Sequence, residues 1–149
     1  MTILRNDALK MQTLFLLSHV VTEKDNHLVM PSNSNIKFML SSLASALQSP
    51  NHETKHFLGP QFSACEMVQA LGNLAACSDE NIKCLVEEGL IQLLEQSLTD
   101  PAPTVKMALL EKTYSARCCW LICMASDPKY REMVAKNSKI MKGSFIISF

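Results

Sequence analysis

The sequence has little glycine, few aromatic residues and no excess charge of either sign. Only four Gly occur in 149 residues, and no phosphate-binding loop, dinucleotide-binding glycine pattern or G-x-S-x-G motif is present. Fourteen basic residues balance fourteen acidic ones, so no basic surplus can release counterions from nucleic acid or attract anionic lipid. We therefore expect neither a nucleic-acid partner nor a membrane partner.

Long hydrophobic runs are also missing. The longest candidate runs from Leu14 to Val21, is interrupted by Ser18 and His19, and is followed at once by charged residues. It is too short to span a membrane, and no signal-peptide cleavage site follows it. We expect a cytoplasmic protein, with a nuclear one as the alternative, in which the six Cys are reduced thiols.

Neither metal binding nor catalysis has a recognisable motif. Cys118, Cys119 and Cys123 are close in sequence, but zinc requires further N or S donors and no second pair has the usual spacing. His52 and His56 are four residues apart without completing H-E-x-x-H. We expect no metal and no cofactor, with the cysteines acting as small buried hydrophobic residues, and we expect that the protein is not an enzyme.

Apolar residues spaced by three and four predict an all-helical fold. The clearest helix covers about residues 63–77, where Ser63 and Glu66 fit the S-x-x-E capping box. A short helix over 81–88 is predicted to end at Gly89 in a left-handed conformation. A third helix, over 90–98, is followed by prolines that cannot continue it.

This helical unit recurs along the chain. Placing Ser126 on Ser78 aligns Tyr130 with Ile82, Met133 with Leu85 and Val134 with Val86. The same alignment sets Asn137 on Gly89, which predicts a second left-handed cap because Asn tolerates that conformation. We divide a single domain of residues 1–149 into a partial unit 1–21, units of about 22–77 and 78–125, and an incomplete unit 126–149.

The middle of the chain, about residues 64–98, closely resembles an armadillo repeat, with more divergent units on either side. The positions that match the family pattern are Ala70, Leu71, Asn73, Leu74, Ala75, Asn81, Gly89 and Leu94. The resemblance implies a right-handed superhelix of helices whose long members line a concave groove. It also implies a protein-interaction scaffold that binds an extended segment of a partner protein or peptide.

The import receptors of this family hold a peptide backbone with a Trp and with an Asn four residues later. Asn73 stands at the position of the Asn, but Gln69 replaces the Trp. The next unit has Arg117 and Leu121 at these two places, and the first has Leu14 and Ser18. These departures argue against binding of a nuclear-localisation signal.

Six residues are predicted to line the groove. Helical spacing puts three of them on one stripe of the first long helix, and analogy with the family adds three from the next long helix. They are Glu66, Gln69, Asn73, Tyr114, Arg117 and Leu121. With one carboxylate and one guanidinium, this strip predicts a partner held by backbone hydrogen bonds and an aromatic contact.

Two other functions stay open at this point. The domain could sense a small ligand between its helices, or it could be a non-binding structural fragment of a longer armadillo protein. Trp120 is expected to pack between helices. The apolar residues near the end, Phe145, Ile146, Ile147 and Phe149, are expected to be an exposed edge that lets the chain self-associate.

Overall fold

The computed structural model describes residues 2–22, 24, 33–54, 61–100 and 102–147, with only the backbone described for 2–6, 33 and 144–147. Eight helices are present in this part of the chain. They are α1 (Thr2–Val20), α2 (Asn33–Gln48), α3 (Ala64–Cys77), α4 (Asp79–Glu87), α5 (Leu90–Thr99), α6 (Val105–Cys123), α7 (Pro128–Ala135) and α8 (Ser138–Ile147). The prediction of an all-α fold is confirmed.

Helix α3 is the centre of the core. It packs against α1, α2, α4 and α6, and its most extensive contact is with α6. Met67, Leu71 and Leu74 form the predicted apolar stripe and are at most 1% exposed. Small residues such as Ala64 and Ala70 bury other sides of the same helix. Because α1 and α6 both pack against α3, the exposed residues of these three helices lie next to one another.

Local sequence signals place the start of α3 and the junction of α4 with α5 as predicted, whereas α4 begins at Asp79, two residues before the predicted start. The Ser63 hydroxyl accepts from Glu66 N at 3.2 Å, and the Glu66 carboxylate accepts from Ser63 N at 2.9 Å, which completes the capping box. Gly89 has φ 102°, the left-handed conformation expected of it between α4 and α5. The start of α3 and the turn between α4 and α5 therefore follow from three local residues.

Asn81 explains the tight corner between α3 and α4. Its carboxamide nitrogen donates to Leu74 O at 2.8 Å, and the residue is 5% exposed. The last carbonyls of a helix lack partners within it, so a buried Asn that satisfies one of them fixes the direction of the next helix. The family resemblance marked Asn81, and the structure supplies this physical role.

The repeat alignment holds for some positions and fails at two. Tyr130 and Val134 of α7 are buried like Ile82 and Val86 of α4. Met133, however, is 43% exposed, whereas its counterpart Leu85 is fully buried. The expected left-handed cap at Asn137 is wrong, since His52 is the one non-glycine residue with positive φ in the described chain.

Asn137 has a different task from the one predicted. Its side-chain oxygen accepts from Ile140 N at 3.0 Å at the start of α8, and its nitrogen donates to Glu95 at 2.8 Å. Lys139 lies 3.3 Å from the same carboxylate. The hydrogen bond from Asn137 is the largest of the effects that lower the pKa of Glu95. These contacts attach α8 to α5.

The C-terminal helix packs more closely than an exposed edge would. Helix α8 contacts α5, α6 and α7, and Ile140 is fully buried. A methyl group added to the buried Gly143 would lie 2.8 Å from Leu98 Cβ, so glycine permits the close approach of α8 to α5. The exposed edge was expected at the apolar residues that follow Gly143. Phe149 and the side chains of residues 145–147 lie outside the described residues.

Trp120 is also placed differently from the prediction. Its side chain is 61% exposed on α6 and does not pack between helices. Leu109 of the same helix and Met124, which follows its last residue, are exposed at 59% and 64%. None of the described helices is long and apolar enough to cross a membrane.

Candidate functional site: a groove on α1, α3 and α6

An open groove of about 470 Å³ brings together side chains from α1, α3 and α6. Its lining consists of Ser18, His19, Val21, Thr22, Gln69, Asn73, Ala76, Cys77 and Arg117. Three of the six residues predicted from sequence are in this list, namely Gln69, Asn73 and Arg117. Ser18, which the family alignment placed at the equivalent of Asn73, also lines the groove.

The polar side chains from α3 and α6 are available for a ligand. Within the described part of the chain, the side chains of Gln69, Asn73 and Arg117 make no hydrogen bond, and Arg117 has no ion pair. All three residues are partly buried. A carboxamide offers donors and an acceptor, and a guanidinium offers five N–H donors. The groove therefore combines unused donors with two unused acceptors.

Gly72 supports the guanidinium of Arg117. A methyl group at Gly72 would lie 2.7 Å from Arg117 Nη1 and 3.2 Å from Cys118 Sγ. The absence of a side chain thus lets α6 approach α3 and leaves room for Arg117 to lie over the α3 backbone. Sequence reasoning did not identify this role of Gly72, because it depends on contact between helices far apart in the chain.

The α1 side of the groove is held by local bonds. The Ser18 hydroxyl donates to Phe15 O at 2.7 Å, and His19 Nδ1 lies 2.8 Å from the same carbonyl. The ring centroids of Phe15 and His19 are 4.6 Å apart, and those of Phe15 and Phe62 are 5.6 Å apart. These contacts connect the wall formed by Ser18 and His19 to the core.

The other three predicted residues have different surroundings. Glu66 serves the capping box described above, so its carboxylate is engaged with the backbone at Ser63. Tyr114 and Leu121 are partly buried and pack against the hydrophobic core. Helical spacing could not show which of these side chains the core and the helix cap would take up.

The described lining of the groove carries one permanent charge, which belongs to Arg117. No Asp or Glu is part of this lining. The sequence predicted a mixed strip with one carboxylate and one guanidinium. Because Glu66 is used at the helix start, the groove instead presents a cation with no acidic neighbour in its lining.

A second groove of about 420 Å³ lies between α2, α5 and the Glu88–Gly89 junction that precedes α5, and has a different character. Leu40, Ala44 and Leu93 supply its apolar part. Its two charged residues pair with each other, since Lys37 Nζ lies 3.9 Å from Glu88 Oε1. With its charges already paired, this groove is the weaker candidate and supplies a matched control surface.

The structure contains a buried pair of titratable residues that the sequence did not predict. His52 Nδ1 lies 2.8 Å from Glu111 Oε1, and both side chains are at least nine-tenths buried. Burial raises the pKa of Glu111, and the hydrogen bond with His52 offsets only part of this effect. The pair joins the segment before α3 to α6 across 59 positions of sequence. No local pattern could have indicated it.

The pair lies close to one cysteine. Burial, followed by the negative charges of Glu111 and Glu66, raises the pKa of Cys65 to about 11. A thiol with this pKa is protonated at neutral pH and is a poor nucleophile. We therefore interpret Cys65, next to His52 and Glu111, as a structural residue and not as the nucleophile of a covalent catalyst.

All six cysteines are free thiols. Cys118 and Cys119 are buried, as predicted for small hydrophobic residues, and burial raises the pKa of each to about 12. The Cys118 thiol donates to Val68 O at 3.4 Å, which ties α6 to α3. Among the described residues, no cluster of three or more His, Cys, Asp or Glu side chains is arranged to hold a metal ion.

Comparison with known proteins gives no relative to guide these assignments. No protein-family model, curated protein or solved structure matches the chain.

Proposed function

We propose that this chain is an armadillo-type protein-interaction domain that binds an extended partner segment in the groove on α1, α3 and α6. It acts as a cytoplasmic scaffold or adaptor and has no reaction of its own. The order of short, medium and long helices in α4, α5 and α6 supports this proposal, as does the short pair α7 and α8 that follows. Stacked helices of this kind form rigid elongated binding surfaces.

One observation carries the proposal. Gln69, Asn73 and Arg117 come from two helices separated by about 30 residues of chain, yet all three line one groove with their polar groups unused by the described protein. Partly buried polar groups that lack partners in the free protein gain hydrogen bonds when a ligand supplies them. Two carboxamides can pair with the N–H and C=O groups of an extended backbone.

The shape of the groove favours a peptide over a small ligand. The groove is open to solvent and extends over three helices, whereas small-molecule sites enclose most of the ligand surface. A thermal-shift screen with metabolites would distinguish the two. A small molecule that raises the melting temperature by several degrees through this groove would favour the sensing domain.

The test compares three forms of the full chain as affinity baits in cytosolic extract. We expect Asn73→Ala to lose partners that the parent retains, with the melting temperature nearly unchanged because Asn73 is partly exposed. Ser41→Ala, in the second groove, is the matched control and should retain them. The proposal would be contradicted if all three forms recover the same partners equally. In that case a substitution at Leu93, in the second groove, would lose the partners instead.

A further inference from the structure

We infer that the partner segment carries an Asp or Glu whose carboxylate binds Arg117, and an apolar side chain that lies beside Trp120. This inference rests on the proposed function of the groove. It adds the chemical class of the partner, and it is argued from the charge of the lining and the exposed face of α6.

The first argument is the unpaired charge of Arg117. Three lysines of the described chain lie near carboxylates, Lys37 at Glu88, Lys129 at Asp127 and Lys139 at Glu95. Arg117 is partly buried and has no such partner within the described residues. A planar guanidinium binds a carboxylate through two parallel N–H···O bonds, which are stronger than neutral hydrogen bonds.

The second argument is the rest of the lining. Gln69 and Asn73 stand beside Arg117 in the groove and supply neutral donors and acceptors. No Asp or Glu belongs to the described lining, so an incoming carboxylate meets no like charge there. The electrostatic complement of this surface is therefore one negative charge on an otherwise neutral backbone.

The third argument is the exposed aromatic ring next to the groove. Trp120 follows Arg117 by three residues on α6, so the two share a face and are separated by a rise of about 4.5 Å. Its side chain is 61% exposed, and Met124 continues the same face at 64%. Trp and Arg are among the residue types enriched at the energetic hot spots of protein interfaces.

The same observations disfavour nucleic acid as the occupant. A nucleic-acid strand requires several cations along its phosphates, and the described lining of this groove has one Arg in a chain of zero formal net charge. A carboxylate requires only one guanidinium. We therefore assign the site to a peptide segment.

Random dodecapeptides displayed on phage and selected on the full chain test this inference. We expect enrichment of Asp or Glu at one position, with an apolar residue nearby. A synthetic peptide from the selection and its Glu→Gln (or Asp→Asn) analogue are then titrated against the parent, Arg117→Gln, Asn73→Ala and Ser41→Ala. Trp120 is the only Trp in the chain, so its emission reports binding beside Arg117 directly.

We expect the peptide substitution and Arg117→Gln each to weaken binding by about tenfold or more, as for a charged hydrogen bond. On Arg117→Gln the peptide substitution should have little further effect, since both changes remove the same contact. Asn73→Ala should weaken both peptides alike, and Ser41→Ala should leave both unchanged. Circular dichroism of every variant verifies folding, and the peptide substitution tests the contact without altering the protein.

The outcomes separate the inference from the proposed function. If binding requires Asn73 but neither Arg117 nor an acidic position, the acidic partner is wrong while the groove function stands. If no peptide is selected, or if selected peptides bind all variants equally, both are wrong. Displacement of the peptide by an equimolar dodecamer of thymidylate would show that the groove prefers phosphates and would also overturn the inference.

Discussion

The buried pair of His52 and Glu111 permits a sharp test of the electrostatics of the fold. Two substitutions at Glu111 separate its hydrogen bond from its charge. Glu111→Ala removes both and leaves His52 buried without its partner at 2.8 Å. Glu111→Gln keeps an acceptor oxygen of the same shape and removes only the charge.

The expected magnitudes follow from the burial of the pair. Glu111 is 1% exposed and His52 is 6% exposed, so neither can replace the lost bond with bulk water. Loss of one member of a buried pair costs about 3–5 kcal/mol, and this is the expected effect of Glu111→Ala. For a chain of this size the melting temperature should fall by about 2–4 °C per kcal/mol. Glu111→Gln should cost less than about 1.5 kcal/mol at pH 4.5, since it retains a neutral hydrogen bond.

The pH dependence gives the sign of the charge effect. Burial raises the pKa of Glu111 in the folded protein above its ordinary value of 4.5. Between these two values the folded state holds a proton that the unfolded state has lost, so the parent loses stability as the pH rises through this interval. The Gln variant has no such proton. Its stability relative to the parent should therefore increase as the pH rises from 4.5.

Urea denaturation followed by circular dichroism at pH 4.5 to 8 measures this difference. The exposed carboxylate of Glu87 supplies a matched control, because Glu87→Gln should change the free energy of unfolding by less than about 0.5 kcal/mol. Equal losses for Glu111→Gln and Glu111→Ala would refute the reasoning. A free energy of unfolding of Glu111→Gln that stays constant or falls relative to that of the parent as the pH rises would refute it as well.

Four further predictions follow from single contacts. Gly143→Ala should lower the free energy of unfolding by about 1 kcal/mol, because overpacking against Leu98 exceeds the gain in helix propensity, and urea titration measures it. Gly72→Ala should weaken selected peptides by shifting the guanidinium above it; unchanged peptide affinity in a fluorescence titration would contradict this. Alkylation of Cys65 should be slow at pH 8 and accelerate up to about pH 11, as mass spectrometry of the labelled peptide would show; full labelling within minutes at pH 7 would contradict it. Asn81→Ala should cost about 1–3 kcal/mol in urea denaturation by leaving Leu74 O without its partner, and a loss below 0.5 kcal/mol would show that water replaces the bond.

Local chemistry made much of the fold predictable. The capping box at Ser63, the left-handed Gly89 and the period of α3 depend on residues within a few positions of each other, and each is confirmed. The convergence of Gln69, Asn73 and Arg117 was also accessible from the sequence, through helical spacing and the family pattern. The superhelical arrangement of the units stays a prediction.

Long-range packing decided the features that sequence reasoning missed. His52 meets Glu111 across 59 positions, and no spacing rule connects them. Asn137 suited a left-handed cap by residue type, but Glu95 and the start of α8 took its side chain. Trp120 was expected to pack between helices, yet its side chain is 61% exposed on α6.

The most direct test of the central claim is a nuclear magnetic resonance titration of the full chain with the peptide selected on it. The account predicts that the largest backbone shift changes fall on Ser18, Gln69, Asn73 and Arg117, together with a change at the indole N–H of Trp120. Changes centred instead on Lys37 and the other residues of the second groove would contradict it.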